Sequence, residues 1–481
     1  MSAARMVAYD VLRDVDEREA YANLALAARI RDARLDRRDA GLATELVAGT
    51  LRGQGFYDRV IELASGRSLA KIDARTLRVL RLGVHQLLAM RTAAHAAVNE
   101  SVELQRKVGN AAAAGFVNGV LRSVGRSTPE VWREQVEASA RNDDEALAVG
   151  TSHPAWVVRA MRDALRAEGR ADELLALLAA DNQAPLVNLA LLPGADIDAE
   201  TAEVLGEVSH DVREDGSQDE VQQTVLARGP SPIGLELLRG DPAEVIERLE
   251  QPVGQVRVQD QGSQLAALAL SRAREVAVGE RWLDLCAGPG GKPAILGAEA
   301  RLGGATVRAN EVAPHRADLV RSSVTAVSEV VRVVSHDGRD DAAYGEGQYD
   351  RILVDAPCSG LGALRRRPEA RWRKKVTDLQ ELIQLQEQLL QAAVARLADG
   401  GVLAYVTCSP HLAETRVVLD GLLKRHPDLH EIDAKAIVSA IAREPLDLAG
   451  DAKSVQLWPH RHGTDAMFIA LVEKRPAGVR G

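Results

Sequence analysis

The sequence predicts an α/β protein with a mostly parallel, doubly wound sheet, preceded by an all-α bundle and a small α+β linker subdomain. From residue 256 onward, apolar runs of strand length alternate with helical stretches. The first 140 residues instead space their apolar side chains at helical intervals, without strand alternation. Between these regions, Pro185 ends a helical stretch and the run Leu186–Leu192 reads as a strand. Three domains are expected, over 1–140, 150–255 and 256–475, in keeping with a length of 481 residues.

Composition narrows the class. Three cysteines in the chain, widely separated, make no disulfide framework and suit a reducing, cytoplasmic setting. No apolar run is long enough to cross a membrane, and the N-terminus has the wrong texture for a signal peptide. Net charge is −9, yet residues 1–140 carry a net +4 and the remainder −13. A basic N-terminal part on an acidic body is compatible with polyanion binding and equally with scatter in surface charge.

In the helical region, one segment runs from Thr76 to Leu88, a second from Ala97 to Leu104, and a third from Gly115 to Arg122. Ser127-Thr128-Pro129 then punctuates the chain. His95–Val102 and Gly115–Arg122 resemble the NusB-like helical domain, which implies RNA binding or protein docking. After the strand-like run of the linker, acidic, glycine-punctuated segments complete a small α+β unit.

The candidate strands of the last region are Trp282–Cys286, Ala305–Ala309, Val330–Val334, Arg351–Val354 and Val402–Val406. In doubly wound sheets ligands bind at the carboxyl ends of strands, so chemistry is expected there. The first strand runs into Cys286-Ala287-Gly288-Pro289-Gly290-Gly291-Lys292. Glycines let the backbone approach a ligand, and the following helix offers free N–H groups. The loop is no P-loop, because Pro293 follows Lys292 where a Ser or Thr would hold magnesium. Glu311 ends the second strand, about 20 residues past the glycines, where a ribose diol is bound in such folds. Asp337, after the third strand, is compatible with an adenine amino contact and equally with a turn aspartate. The fourth strand ends in Asp355-Ala356-Pro357-Cys358-Ser359-Gly360 and the fifth in Thr407-Cys408-Ser409-Pro410. A lone cysteine is usually a small buried hydrophobe. Two of them at strand ends, beside Pro, Ser, Thr and an Asp, point to a pocket. No partner stands at zinc-ligand spacing, so no metal is expected.

Together, Gln259–Gln264, the Asp284–Lys292 loop, Asp355–Gly362 and Thr407-Cys408-Ser409 resemble the RsmB and Sun/Nop family of RNA cytosine-5 methyltransferases. The resemblance runs through essentially the whole chain, and the Pro-Cys and Thr-Cys pair is its specific part. Gly288 and Pro293 depart from the family's usual Ala and Thr, and Glu414-Thr415 stands where Glu-Asn is common. The resemblance implies a Rossmann-like class I methyltransferase domain that uses S-adenosylmethionine. It implies that Cys408 attacks cytosine carbon 6 and that Cys358 helps release the product. Asp355, protonated or sharing a proton, and Lys292 would contact or orient the base. The cofactor site would comprise Cys286, Ala287, Gly288, Pro289, Gly290, Gly291, Lys292, Glu311, Asp337 and Asp355. Arg316 is either a supporting group or a solvated arginine.

The segment Leu364–Lys375 holds seven basic residues, one acid and a tryptophan. Its place after the Pro-Cys motif favours RNA contact by Arg365, Arg366, Arg367 and Arg371 over a solvated charged face. The NusB-like extension implies small-subunit (16S) ribosomal RNA as substrate and a monomeric enzyme without membrane association. Alternatives are a methyltransferase of another RNA such as tRNA, one acting on DNA or a small molecule, and a NusB-like factor with an inactive domain.

Overall fold

The computed structural model describes residues 2–195, 225–249 and 251–476. The chain divides into two compact units. One comprises Met1–Asp163, Asp172–Ala184 and Ala363–Lys375; the other comprises Ala164–Ala171, Pro185–Gly362 and Val376–Gly481.

The first unit is helical. The three segments read from periodicity are the helices Ala74–Leu88, Ala94–Val108 and Ala114–Val124. Asp73 caps the first of these by accepting from the Thr76 N–H at 3.0 Å. Val79, Leu80, Leu82 and Val84 line its buried face. At Gly83 a Cβ would fall 2.6 Å from Leu121, so the close approach of two helices demands glycine there. Arg78 is buried but paired, reaching Asp16 at 2.8 Å and Glu17 at 2.7 Å.

Residues 363–375, which carry the basic segment, also belong to this unit. Arg371 is fully buried. Its guanidinium donates to the carbonyls of Ser152 and Asp181, at 3.0 and 3.1 Å, and to Asn182 Oδ1 at 2.7 Å. Arg373 donates to the Val15 carbonyl at 3.2 Å and also to that of Ala20. Trp372 lies over Gly55, where a Cβ would meet the ring at 2.4 Å. Burial pulls the Arg371 guanidinium down to about 10, so it stays charged among its acceptors at neutral pH. Arg365 is also buried, whereas Arg367 is exposed and stacks over Tyr21. The segment is thus largely structural: its cations saturate carbonyls that helix ends leave unpaired.

The second unit holds two sheets among the described residues. The smaller contains β1 (Val187–Leu191), β2 (Leu226–Arg228), β3 (Gly234–Leu237) and β4 (Val256–Val258), all antiparallel in the order β2-β3-β1-β4. The strand expected at 186–192 is β1. The acidic, glycine-punctuated stretch expected beyond it lies mostly outside the described residues. Of residues 150–255, 150–163 and 172–184 fall in the helical unit, whereas 164–171 and the strands beyond Pro185 fall in the second, so the small sheet groups with the larger one. The reason is visible in the Gln259–Gln264 motif. Gln261 is buried and binds the Ser231 N–H, Asn188 and Glu236, while Gln264 donates to the Leu189 carbonyl. Polar groups that must be paired when buried thereby fasten the small sheet to the helix Gln261–Ser271.

The larger sheet contains β5 (Arg281–Asp284), β6 (Thr306–Asn310), β7 (Val331–Val334), β8 (Tyr349–Asp355), β9 (Leu397–Thr407), β10 (Leu429–Ile432), β11 (Val455–Gln456) and β12 (Phe468–Lys474). Its order is β10-β12-β9-β8-β5-β6-β7, with β11 beside β12. The five strands expected from sequence are β5 to β9, and their mutual pairings are all parallel. The antiparallel β10, β11 and β12 were not read in advance. β6 and β8 flank β5 on opposite sides, so the strand order reverses at β5 and opens a crevice at the carboxyl ends.

Candidate active site

The carboxyl ends of β5, β6, β8 and β9 carry the sequence-singled residues. After β5 the chain turns through Cys286–Gly290 into the helix Gly291–Gly303. Gly290 has φ +113°, and a Cβ there would fall 2.3 Å from Ser323. At Gly288 a Cβ would fall 2.0 Å from a Glu311 carboxylate oxygen. The loop backbone and the acid ending β6 are therefore as close as glycine alone permits. Arg316 binds both, donating to the Gly288 carbonyl at 3.1 Å and pairing with Glu311 at 3.4 Å. That resolves Arg316 as a fastener of the loop.

Two further fasteners were not anticipated. Asn310 donates to the Leu285 and His336 carbonyls, each at 3.1 Å, and ties together the chain leaving β5, β6 and β7. Arg257 reaches from β4 to the carbonyls of Gly290, at 3.2 Å, and Ser323, at 2.8 Å. Both look like ordinary polar residues in the sequence, and only their partners reveal the role. Asp337 is held by Arg339 at 2.6 Å, which keeps its carboxyl down at about 2 and hence ionised.

Deeper in the crevice three ionisable groups meet, Asp284, Lys292 and Asp355. Asp284 is fully buried, and one of its oxygens has no hydrogen-bond partner among the described residues. Burial, aided by the neighbouring Asp355 charge, pushes its carboxyl up to about 8, so it is mainly a neutral acid at pH 7. Lys292, on the first turn of the helix, bonds Asp355 at 2.6 Å. Burial opposes its ammonium, but Asp355 outweighs burial and holds Lys292 above the ordinary lysine range. Burial pushes the Cys286 thiol well up, so it is no thiolate nucleophile.

β8 and β9 are paired neighbours, with Asp355 opposite Val406. Each strand ends in a turn bearing a cysteine, and the sulfurs of Cys358 and Cys408 stand 3.5 Å apart. Gly362 knits the turns together, donating to the Cys408 carbonyl at 2.9 Å and accepting from Ala466 at 2.8 Å. A Cβ there would fall 2.0 Å from the Ala466 oxygen.

Sequence reading undervalued Glu414, which is fully buried between the two turns. It accepts from the Ser359 N–H at 2.7 Å, from the Ser359 hydroxyl, and from the Ser409 hydroxyl at 2.8 Å. The thiols consequently meet opposite charges. The hydrogen bond to Cys408, then burial, the Cys408 charge and the Glu414 carboxylate all push the Cys358 thiol well up. Cys408 instead faces Lys292, whose ammonium is favoured by a negative charge on that sulfur; the attraction is mutual.

Among the described residues no group of three or more His, Cys, Asp or Glu stands together to hold a metal ion, and no helix is long and apolar enough to cross a membrane.

Comparison with known proteins agrees with this architecture. Residues 273–473 match the family described as 16S rRNA methyltransferase RsmB/F, and residues 2–126 match the NusB family. Rv1407 of Mycobacterium tuberculosis, named as a methyltransferase, is 43% identical over 98% of this chain and 97% of its own. Ribosomal RNA small subunit methyltransferase B of Pseudomonas putida is 31% identical over 89% of this chain and 91% of its own. The fold of PH0851 matches with a TM-score of 0.75 and 21% identity, over 97% of each chain. A glycine loop at the switch point, two apposed thiols and a NusB-like helical region thus sit in a chain that belongs to the RsmB/F family of RNA methyltransferases.

Proposed function

We propose that the protein transfers a methyl group from S-adenosylmethionine to carbon 5 of a cytosine in RNA, with 16S ribosomal RNA as the substrate. The observation that carries this reading is the pair of sulfurs 3.5 Å apart at the ends of two adjacent strands. The ribosomal substrate rests on the names of the relatives and on the NusB-like region.

The crevice suits the cofactor's chemistry. Gly288 and Gly290 let the loop backbone pack directly against Glu311 and Ser323, and Glu311 offers a carboxylate to a ribose diol. Residues Cys286–Lys292, Glu311, Asp337 and Asp355 would hold it, and it supplies an electrophilic methyl group on a sulfonium.

Cytosine carbon 5 is a poor nucleophile until a thiolate adds to carbon 6. We assign that addition to Cys408, in keeping with the resemblance to the family. The electron pair moves toward carbon 5 and N3, where the Lys292–Asp355 pair can donate a proton. Once carbon 5 carries the methyl group, its hydrogen must leave as a proton. Cys358 suits that task by timing. In the free enzyme Cys408 itself is the largest influence holding Cys358 as a thiol. A Cys408 sulfur bound to carbon carries no charge, so Cys358 can give its proton to solvent and then take the one from carbon 5. Expulsion of the Cys408 thiolate, with return of the N3 proton to the Lys292–Asp355 pair, completes the cycle. Of the four arginines Arg365, Arg366, Arg367 and Arg371, the exposed Arg367 and the half-buried Arg366 remain suited to RNA contact, alongside the exposed Lys375.

The test is covalent capture by RNA containing 5-fluorocytosine. Cys408→Ala should lose both methylation and capture, whereas Cys358→Ala should leave a stalled adduct with ordinary cytosine RNA. Capture by the Cys408 variant would overturn the assignment. Labelled-methyl uptake by RNA against DNA, and bisulfite sequencing of 16S RNA from a deletion strain, decide the substrate.

A further inference from the structure

We propose that Glu414 is a positioning residue for this reaction, whose carboxylate ties the turn after Cys358 to the turn after Cys408 and so sets the division of labour between the two thiols. The inference rests on the proposed function for its catalytic meaning, but its physical content is independent of it.

Glu414 lies in a short helical turn, Leu412–Glu414, six residues past Cys408. A fully buried carboxylate is unfavourable unless donors surround it. Here the donors come from the residues immediately after each cysteine: the Ser359 N–H and hydroxyl, and the Ser409 hydroxyl. The serine hydroxyls also stand 3.1 Å from each other. Gln386 completes the frame by donating to the Pro357 carbonyl at 2.8 Å and to Glu414 at 3.4 Å. Tyr405 binds the Glu414 carbonyl at 2.6 Å and Gln386 at 3.2 Å. Among the described residues the hydrogen bonds to the Glu414 side chain come from the neutral donors Ser359, Ser409 and Gln386, and the carboxylate raises the Cys358 thiol. The titratable groups facing Cys358 are Cys408 and Tyr405, from β9 and its turn, and Glu414. Of the three, Glu414 is the carboxylate that raises the Cys358 thiol and does not itself change when Cys408 bonds to substrate. It therefore makes Cys358 a stronger base at the step in which the carbon-5 proton leaves.

The test uses the full chain and iodoacetamide, with alkylation of each cysteine followed by peptide mass spectrometry from pH 6 to 10. Glu414→Gln keeps the shape and removes the charge. It should speed Cys358 alkylation at pH 8 by about tenfold, one unit of thiol acidity, and change Cys408 far less. Ser409→Ala removes one donor and keeps the charge, so it should leave the Cys358 alkylation profile in place. With RNA, Glu414→Gln should lower kcat by about tenfold or more at nearly constant KM and accumulate the covalent adduct. An unchanged Cys358 profile in Glu414→Gln, or an equal shift in Ser409→Ala, overturns the proposal. Alkylation needs no substrate, so a wild-type chain that leaves cytosine unmethylated would refute the proposed function while this result stands or falls separately.

Discussion

Lys292→Met removes the one ammonium in the crevice while keeping the length of the side chain. Lys292 Nζ and Asp355 Oδ2 are 2.6 Å apart, with side-chain exposures of 10% and 24%. At an effective dielectric constant of about 20 that separation corresponds to about 6 kcal/mol of attraction, most of it offset by the desolvation of both ions. Removing one partner of such a pair costs about 3–5 kcal/mol, because the other charge is left uncompensated. The stranded carboxylate has an escape: it can take a proton, at about 1.4 kcal/mol for each pH unit above the ordinary aspartate range. That caps the loss near ~4 kcal/mol at pH 7 and near ~2 kcal/mol at pH 5.5. Urea unfolding followed by tryptophan fluorescence reads this directly, since Trp282 is fully buried in β5. The expected destabilisation is about 3–4 kcal/mol at pH 7, falling to about 2 kcal/mol at pH 5.5. A loss below about 1 kcal/mol at both pH values, or one independent of pH, would refute the reasoning.

Two further expectations concern other parts of the chain. Asp284 has a folded-state value raised to about 8, so folding takes up a proton at neutral pH, and stability falls as pH rises above the ordinary aspartate range and levels off beyond pH 8. Asp284→Asn should abolish that slope: between pH 6 and 8 the wild type should lose about 2 kcal/mol more than the variant in urea titrations, and parallel profiles would contradict the assignment. Arg371→Met strips several acceptors of a buried donor, so it should cost about 3–5 kcal/mol while leaving the salt dependence of RNA binding unchanged. A stable variant with a shallower salt slope would return Arg371 to the RNA-binding surface.

Much of the fold was legible because its signals are local. β5 to β9 are short apolar runs closed by Gly, Pro, Asp or Asn, and the helices around Leu80, Val98 and Val117 repeat at helical spacing. β10 carries no apolar run to read, since His430 and Glu431 make up half of its four residues, whereas β12 opens on the apolar run Phe468–Val472, which the candidate strands did not include. Arg257 and Asn310 escaped notice for another reason. Their function is to satisfy carbonyls that the folded chain brings to them.

The cysteines mark the boundary most clearly. Sequence by itself placed Cys358 and Cys408 at strand ends, identified the glycine loop, and carried the family resemblance. What it could not order was the pair, since chemistry at a thiol depends on charges within a few ångströms. Tertiary structure decided that β8 and β9 are neighbours, which brings together sulfurs fifty residues apart. It also decided that Glu414 lies by one and Lys292 by the other. The same holds for the basic segment: its composition reads as an RNA-facing stretch, and its burial in the helical unit makes Arg371 a structural donor. Composition and periodicity report which residues prefer water or a core, but the sign and distance of a neighbouring charge exist only once the chain has folded.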